Sequence, residues 1–179
     1  MGGIVHLVKS GQGGKTDVKP SNVILNSLGL QQSFKKYGTW LLSQAFPEGS
    51  PVHPAYPTGH GTVGGACVTL LKFFFDGYIL PNPVVPSAGG LSLEPYTGPD
   101  AGQLTVNGEL NKLGHNITFG HGIHSGIHWR SDSDTSLLLG EEVALSFLRN
   151  RARTYNEPVV VQLTRFDGTT ATISNQSNP

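Results

Sequence analysis

Apolar residues recur at helical spacing along much of the chain. From Leu104 to about Gly122 they lie three or four positions apart, which places them on one face of a helix, at Val106, Leu110, Leu113 and Ile117. The stretch from about Thr62 to Asp76 is also apolar, and Gly64 and Gly65 within it would let a neighbouring backbone approach closely. The pattern therefore predicts a mainly α fold.

A third helix is predicted to begin at Asp132 or Ser133, because either side chain can accept the free amides of a first helical turn. This helix is apolar nearly all round in its first half and amphipathic toward its end, at Leu137, Leu138, Val143, Leu145, Phe147 and Leu148. Such a helix belongs in the middle of a helical bundle. Glu141 and Glu142 follow the apolar run and are expected on a solvated face.

The remaining helical and loop segments are predicted from their composition. Residues 1–20 lack an apolar period and are expected to form an extended arm, and Ser21 to Leu30 can hold a short helix. Residues 31–44 are compatible with helix or strand. Prolines make residues 47–57 a rigid loop, and residues 81–102 form a long loop rich in proline and glycine, of the kind that often serves binding or interaction.

The C-terminal tail has a different period. Residues 159–173 alternate around Asp167-Gly168, which is typical of a tight turn between two antiparallel strands. We therefore expect a short β-hairpin over residues 158–175. With 179 residues, the chain fits a single domain over residues 1–179.

Composition excludes several classes of protein. Twelve basic and twelve acidic residues balance, so no strong field favours nucleic acid or membrane surfaces. No run of eighteen apolar residues predicts a membrane span, and the N-terminus does not resemble a signal peptide, so the chain is expected to be soluble, with its compartment unknown. Cys67 is the single cysteine and is expected in the buried face of a helix. Charged residues are only 13% of the chain, which favours a surface partly covered by another subunit or further sequence.

The first candidate site lies in Pro51-Val-His-Pro-Ala-Tyr-Pro-Thr-Gly-His60-Gly61. The prolines lead into a turn at Thr58-Gly59, and a helix follows. The N-terminus of a helix has free N–H donors and the positive end of the helix dipole, both of which stabilise an anion. Thr58 adds a hydroxyl donor, and His60 can exchange a proton near neutral pH. This stretch therefore predicts an oxyanion site.

A second group of histidines follows at His121, His124 and His128. If Asp132 accepts a hydrogen bond from Nδ1 of His128, it leaves Nε2 free as a nucleophile or metal ligand. Asp132 can instead cap the next helix, and the two roles are compatible. The three histidines would share one face of a continuous helix and could then hold zinc or nickel, but Gly122 and Gly126 oppose a regular helix.

The two motifs together, His53-Pro-Ala-Tyr-Pro-Thr-Gly-His60 and Gly126-Ile-His-Trp-Arg-Ser-Asp132, resemble those of the vanadium-dependent haloperoxidases. This family shares its site with the type 2 phosphatidic acid phosphatases (the PAP2 superfamily) and the bacterial class A acid phosphatases. The resemblance covers about residues 45–150. It implies a helical bundle of the haloperoxidase and acid phosphatase type, with long proline- and glycine-rich loops and the short C-terminal hairpin.

The resemblance also implies roles for individual residues. His128 would bind vanadium, and Thr58 and Gly59 would hydrogen-bond the oxygens of vanadate, or of phosphate in the same place. His60 would act as the acid and base, while His53, which matches the bromoperoxidase type, and Asp132 would support the site. Hydrogen peroxide, bromide and a small organic acceptor are the implied substrates. The chain is expected to be an enzyme if this site is complete.

Three departures from the family bear on whether this site is complete. Thr58 stands where the family usually has serine, and His121 follows Gly120 where the family has an arginine. Upstream of Thr58 the chain has no arginine, whereas the family has a lysine and an Arg-Pro pair there. We therefore expect the C-terminal part of a longer fold, with His121 as an oxyanion donor and Arg130 as the nearby cation.

Two alternatives to a haloperoxidase follow from the same residues. One is an acid phosphatase-like or phosphate-binding protein. The other is a non-catalytic assembly module, which would bury its apolar faces as a homo-oligomer or against a missing N-terminal half.

Overall fold

The computed structural model describes residues 2–41, 43–44, 51–75 and 77–176 of the protein. Over these ranges the chain is mainly helical, with two small antiparallel strand pairs, which confirms the predicted fold class. It divides into two compact units, Met1–Pro51 and Val52–Pro179.

The first unit contains three helices: α1 (Gly2–Lys9), α2 (Asn22–Leu25) and α3 (Leu28–Tyr37). The expectation of an extended arm over residues 1–20 is wrong, because α1 and a 3₁₀ turn at Gly13–Lys15 lie there. Ser21 and Ser27 each accept an amide hydrogen bond at the start of the next helix, and the break between them divides the predicted Ser21–Leu30 helix in two. Residues 31–37 are helical. Part of the predicted proline loop, residues 47–50, lies outside the described residues.

Three long helices build the second unit: α4 (Gly59–Phe74), α5 (Val106–Thr118) and α6 (Arg130–Ala152). All three were predicted, but the stretch from Leu104 to Gly122 does not continue as one α-helix. After Thr118 the backbone widens into a π-helix at Phe119–His124. Gly120 and Gly122 lower the cost of this change, because glycine weakens the regular helix. π-Helical turns of this kind often occur at functional sites.

The helices α4 and α6 cross at two glycines. A Cβ added to Gly65 would lie 2.3 Å from the carbonyl oxygen of Leu137, and one added to Gly140 would lie 2.0 Å from that of Thr62. Side chains of any size are therefore excluded at both positions. This close crossing brings the start of α6 next to the N-terminus of α4, where the candidate site lies.

Two antiparallel strand pairs complete this unit. The predicted tail hairpin is confirmed: β3 (Val160–Thr164) pairs with β4 (Thr170–Ser174), and Gly168 turns with φ 82°. Its inner residues pack on the end of α6. Together they form an apolar core, made of Leu163, Ala171 and Ile173 from the hairpin and Leu145, Leu148 and Ala152 from α6. The region predicted as a long loop over residues 81–102 also contains a short ribbon, β1 (Val84–Pro86) with β2 (Leu93–Pro95).

A buried ion cluster joins the hairpin to α4 and α6. Glu141 is fully buried, which corrects the expectation of a solvated face, whereas Glu142 is exposed as predicted. The Glu141 carboxylate lies 3.8 Å from the Lys72 ammonium, accepts a hydrogen bond of 3.1 Å from Arg165, and accepts one of 3.0 Å from the amide of Phe166. Burial lowers the Lys72 pKa to about 8, although Glu141 opposes this shift. Two of the three contacts, from Arg165 and Phe166, hold the hairpin on α6, and the third joins α4 to the same carboxylate.

Candidate functional site

Thr58 is the N-cap of α4 and is completely buried. Its backbone N–H donates a 2.8 Å hydrogen bond to the Ser136 hydroxyl on α6, so the turn before α4 is held by the neighbouring helix. Its carbonyl accepts hydrogen bonds from the amide and the hydroxyl of Thr62. The side-chain hydroxyl is different: within the described part of the chain, Thr58 Oγ1 has no hydrogen-bond partner.

The first turn of α4 presents further donors beside this hydroxyl. The first amide of this turn that bonds within the helix is that of Thr62, so the amides of Gly59, His60 and Gly61 lie at its free end. A buried hydroxyl without a partner is costly, and an anion at the helix N-terminus would relieve that cost. Gly59 and Thr58 are therefore positioned to bind oxyanion oxygens.

The ring of His60 stacks on that of His121. Their centroids are 3.5 Å apart and the rings are inclined by 27°. Burial lowers the His60 pKa, and the nearby imidazoles of His121 and His128 lower it further, since a second positive charge would be repelled there. His60 is therefore neutral at pH 7 and can accept a proton. The π-helix carries His121 to this stacked position.

His128 lies at the turn between the π-helix and α6. Its side chain is only 5% exposed. Its Nδ1 lies 3.6 Å from the Asp132 carboxylate, an ion-pair distance if the imidazole is protonated. That distance is too long for a hydrogen bond, and among the described residues His128 Nδ1 has no hydrogen-bond partner. Gly122 leaves room for this ring, because a Cβ there would lie 3.3 Å from Cβ of His128.

Asp132 mainly organises the start of α6. The N-cap is Trp129 and the helix begins at Arg130, so the expectation that Asp132 or Ser133 is the N-cap is wrong by a turn. Asp132 instead accepts hydrogen bonds from the Trp129 amide at 3.2 Å and the Ser131 hydroxyl at 3.3 Å. A carboxylate in the first turn is also stabilised by the positive end of the helix dipole.

The two other predicted supporting residues differ in placement. The His53 ring lies 6.3 Å from the His128 ring, centroid to centroid, and its Nδ1 lies 2.8 Å from the carbonyl oxygen of Pro54. Arg130 has an 80% exposed side chain, and its described partners are Asp134 and the ring of Phe119. This position does not support a role for Arg130 next to His128.

The alternative of a zinc or nickel site on His121, His124 and His128 is not supported. Among the described residues, no group of three or more histidine, cysteine, aspartate or glutamate side chains could hold a metal ion. The physical reason is the π-helix, which breaks the regular three- and four-residue spacing. His124 is exposed, whereas His121 turns to His60.

Three buried hydroxyls near the site were missed in the sequence. Ser136 holds the Thr58 amide, whereas Thr118 Oγ1 and Ser133 Oγ are buried and, in the described part of the chain, have no hydrogen-bond partner. Thr118 and Thr58 both lie against Gly61, and Ser133 lies against Gly122. Ser133 and Ser136 lie in the polar run of residues 130–136 at the start of α6, so the local pattern did not distinguish them from their neighbours.

An apolar groove of about 410 Å³ begins at His60 and runs along α4 beside α5. Its walls are Gly59, His60, Val63, Gly64 and Cys67 of α4 and Ile117 of α5. Cys67 is exposed on this wall, which corrects the expectation of a buried cysteine. The helix face that was taken for core is therefore partly open.

No helix in the described ranges is long and apolar enough to cross a membrane.

Comparisons with known proteins point to one family. The family model for the VCPO second helical-bundle domain matches residues 31–157. The vanadium-dependent bromoperoxidase of Corallina officinalis is 45% identical over 138 residues, which are 75% of this chain and 22% of that protein. The corresponding enzyme of Ascophyllum nodosum is 41% identical over 134 residues, 73% of this chain and 23% of that protein.

A solved structure agrees with these relatives. The homohexameric second vanadate-dependent bromoperoxidase of Ascophyllum nodosum superposes with a TM-score of 0.76 at 28% identity, covering 96% of this chain and 34% of that one. The chain thus spans about a fifth of the length of the curated relatives it matches. These relatives do not favour the phosphatase or the non-catalytic alternative. From the family match and the sequence identity, the chain belongs to the vanadium-dependent haloperoxidases.

Proposed function

We propose that this chain carries the vanadate site of a haloperoxidase that oxidises bromide with hydrogen peroxide and halogenates a small organic acceptor. The observation that carries the proposal is the unpartnered, fully buried hydroxyl of Thr58 at the N-terminus of α4. An oxyanion is the ligand that suits a hydroxyl donor, free helix amides and a nearby imidazole at once.

The residues present fit vanadate. Thr58 Oγ1 and the Gly59 amide would donate hydrogen bonds to its oxygens, and Nε2 of His128 would bind the vanadium. When bound, vanadate supplies a pentavalent Lewis acid that activates hydrogen peroxide. His53 and Asp132 would support His128, since the His53 ring lies 6.3 Å from its ring, centroid to centroid, and the Asp132 carboxylate lies 3.6 Å from its Nδ1.

His60 acts as the proton acceptor and donor. Because its pKa is lowered, the imidazole is neutral at pH 7 and can take a proton from hydrogen peroxide at a ring nitrogen. His121, stacked on this ring, is the further proposed donor to the oxyanion. Only one of the two rings readily carries the charge, because their centroids are 3.5 Å apart.

The charge at this site is smaller than in the family pattern. An imidazole at position 121 is not permanently charged, whereas a guanidinium is. Each charged hydrogen bond that is lost weakens anion binding by about 1.5–3 kcal/mol. We therefore propose that vanadate affinity is modest in this chain alone.

We further propose that the protein forms a homo-oligomer. Leu139, Val143 and Phe147 follow one another at four-residue intervals on α6, and each is at least 40% exposed. An apolar stripe of this kind favours burial against another copy. Sedimentation velocity would test this, and a single species with the mass of one chain at all concentrations would contradict it.

The activity is tested by adding vanadate, hydrogen peroxide and bromide and measuring oxidised bromide. His128→Ala should remove the turnover that depends on vanadate. His115→Ala is the matched control, because His115 is an exposed histidine on α5 whose described ring contacts are Phe119 and Phe166. Turnover that survives His128→Ala would exclude this mechanism.

A further inference from the structure

His60 is an exposed histidine that its own helix supports poorly. It is the second residue of α4 and lies between Gly59 and Gly61, neither of which has a side chain. Residues three and four positions further on share its helix face, and here they are Val63, which is 62% exposed, and Gly64. The residues of α4 alone therefore do not fix the direction of the imidazole ring.

The π-helix provides the missing support through His121. The two imidazoles face each other with their centroids 3.5 Å apart and their planes inclined by 27°. At that separation the faces are in van der Waals contact, so the His60 ring cannot swing out of its plane without meeting the other ring. His121 is itself half-buried. The stack thus joins an exposed ring at the start of α4 to a better fixed ring of the π-helix.

Stacking also leaves the chemistry of His60 available. It occupies the faces of the two rings, whereas the nitrogens that give or take protons lie at the ring edges. A guanidinium could stack on His60 in the same way, but its permanent charge would oppose protonation of His60. An imidazole at position 121 can be neutral, so it supports the ring without holding a positive charge against it.

We propose that His121 is the positioning residue of the acid–base histidine: its stacked ring fixes the direction in which the nitrogens of His60 meet the reacting oxygen. The proposal rests on the proposed haloperoxidase function, in which His60 exchanges the proton. This role differs from the hydrogen bond that His121 is proposed to donate to the oxyanion. Positioning needs a flat ring, whereas the hydrogen bond needs an N–H group.

Two substitutions at position 121 separate these roles. His121→Phe keeps a flat ring against His60 and removes the N–H donor. His121→Gln keeps an N–H donor and removes the ring. Circular dichroism checks that both variants are folded, and His121→Ala is a second variant without the ring.

Nuclear magnetic resonance reads the stack in the complete chain without vanadate, peroxide or bromide. The ring C–H signals of His60, assigned with His60→Gln, should be shifted upfield by the stacked ring in the natural protein and in His121→Phe. They should lose this shift in His121→Gln. Burial and the neighbouring imidazoles lower the His60 pKa. This pKa should stay low in His121→Phe and rise toward its ordinary value in His121→Gln, because the ring that covers His60 is gone.

Binding and turnover should then respond in opposite orders. Orthovanadate binding, measured by calorimetry, should weaken about tenfold in His121→Phe and less in His121→Gln, since only the phenylalanine variant loses the donor. Turnover at saturating vanadate should be at least about threefold lower in His121→Gln than in His121→Phe, because the stack is lost. His124→Ala changes an exposed histidine of the same π-helix and should match the natural protein in both measurements.

The two variants decide between the roles. If the His60 signals and pKa were the same in His121→Phe and His121→Gln, the proposal would be overturned. Turnover that only followed vanadate affinity in the two variants would overturn it as well. If the natural protein bound no vanadate while the contrast in the His60 signals remained, the proposed function would be rejected and the restraint of His60 by His121 would be confirmed.

Discussion

Removing the hydroxyl of Thr58 is expected to change vanadate binding and protein stability in opposite directions. Thr58→Val keeps the shape of the side chain and removes a buried hydroxyl that lacks a partner in the described structure. The protein without ligand should become more stable by about 1 kcal/mol, since the desolvation cost of the hydroxyl disappears. Vanadate binding should weaken about tenfold, because a donor to the anion is lost.

Thermal unfolding and titration calorimetry measure these two effects. Thr58→Ser is the control, because it keeps the hydroxyl and should bind vanadate like the natural protein. If Thr58→Val lowered stability and left vanadate binding intact, the hydroxyl would have a structural role only.

His60 gives a prediction on pH dependence. Its pKa is lowered in the folded protein by burial and by the neighbouring imidazoles, so below pH 6.5 the unfolded chain takes up a proton before the folded chain does. The stability contributed by neutral His60 is present above pH 6.5 and is lost as the pH falls through the folded pKa. His60→Gln should flatten this part of the stability profile.

Urea unfolding at a series of pH values would measure that profile. His115→Gln is the comparison for an exposed histidine. An acid slope that is the same in His60→Gln and in the natural protein would contradict the lowered pKa.

The residues of the candidate site were only partly predictable. Thr58, Gly59 and His60 are adjacent in sequence, and the local rule for helix N-termini is enough to give them an anion-binding role. Ser136 lies 78 positions after Thr58, and its hydrogen bond to the Thr58 amide depends on how α6 crosses α4. The wrong N-cap at Asp132 has a local cause: a carboxylate can serve the N-cap position or, three residues later, the amide of the N-cap residue.

At the scale of elements, the crossing of α4 and α6 controls the site. Gly140→Ala would place a methyl group 2.0 Å from a backbone oxygen of α4, so the helices must separate, and we expect a loss of about 3 kcal/mol of stability. Gly64→Ala should have a much smaller effect, because its nearest neighbour is a side-chain methyl of Ile117 at 3.4 Å.

Denaturant unfolding of both variants measures the difference. Vanadate binding should also weaken in Gly140→Ala, since the Ser136–Thr58 hydrogen bond spans the same crossing. Equal stability of the two alanine variants would contradict the close packing described for Gly140.

The ion cluster beneath the hairpin allows a second comparison, between variants of a buried and an exposed glutamate. Glu141→Gln leaves the buried Lys72 without its carboxylate, and we expect a loss of about 3 kcal/mol in the free energy of unfolding. Glu142 also contacts Arg165 but is half exposed, so Glu142→Gln should cost less than about 1 kcal/mol. Urea denaturation compares them, and equal losses would show that burial of Glu141 is not important.

Elements with local signals were predicted, and those that depend on distant partners were not. The hairpin follows from Asp167-Gly168 and the alternation around it. Burial of Glu141 depends on Lys72 and on Arg165, which lie 69 positions before it and 24 after it, and no periodic pattern reveals that pairing. The π-helix at Phe119–His124 changes the hydrogen-bond spacing of the backbone, which the apolar period of α5 does not report.

At the scale of the whole molecule, the proposed site depends on imidazoles for its positive charge. His121 occupies the position next to His60, and Arg130 lies at the surface beside Asp134. The homohexameric relative shows that a protein with this fold can assemble, and the α6 stripe offers a surface for assembly here. Vanadate affinity that rises with protein concentration would show that assembly strengthens the site.

The most direct test of the account is the binding of orthovanadate to the complete chain, measured by calorimetry at pH 6. We predict saturable binding of one vanadate per chain, which is abolished in His128→Ala and retained in His115→Ala. Absence of binding in the natural protein, or equal binding in His128→Ala, would contradict the claim that this chain carries a vanadate site.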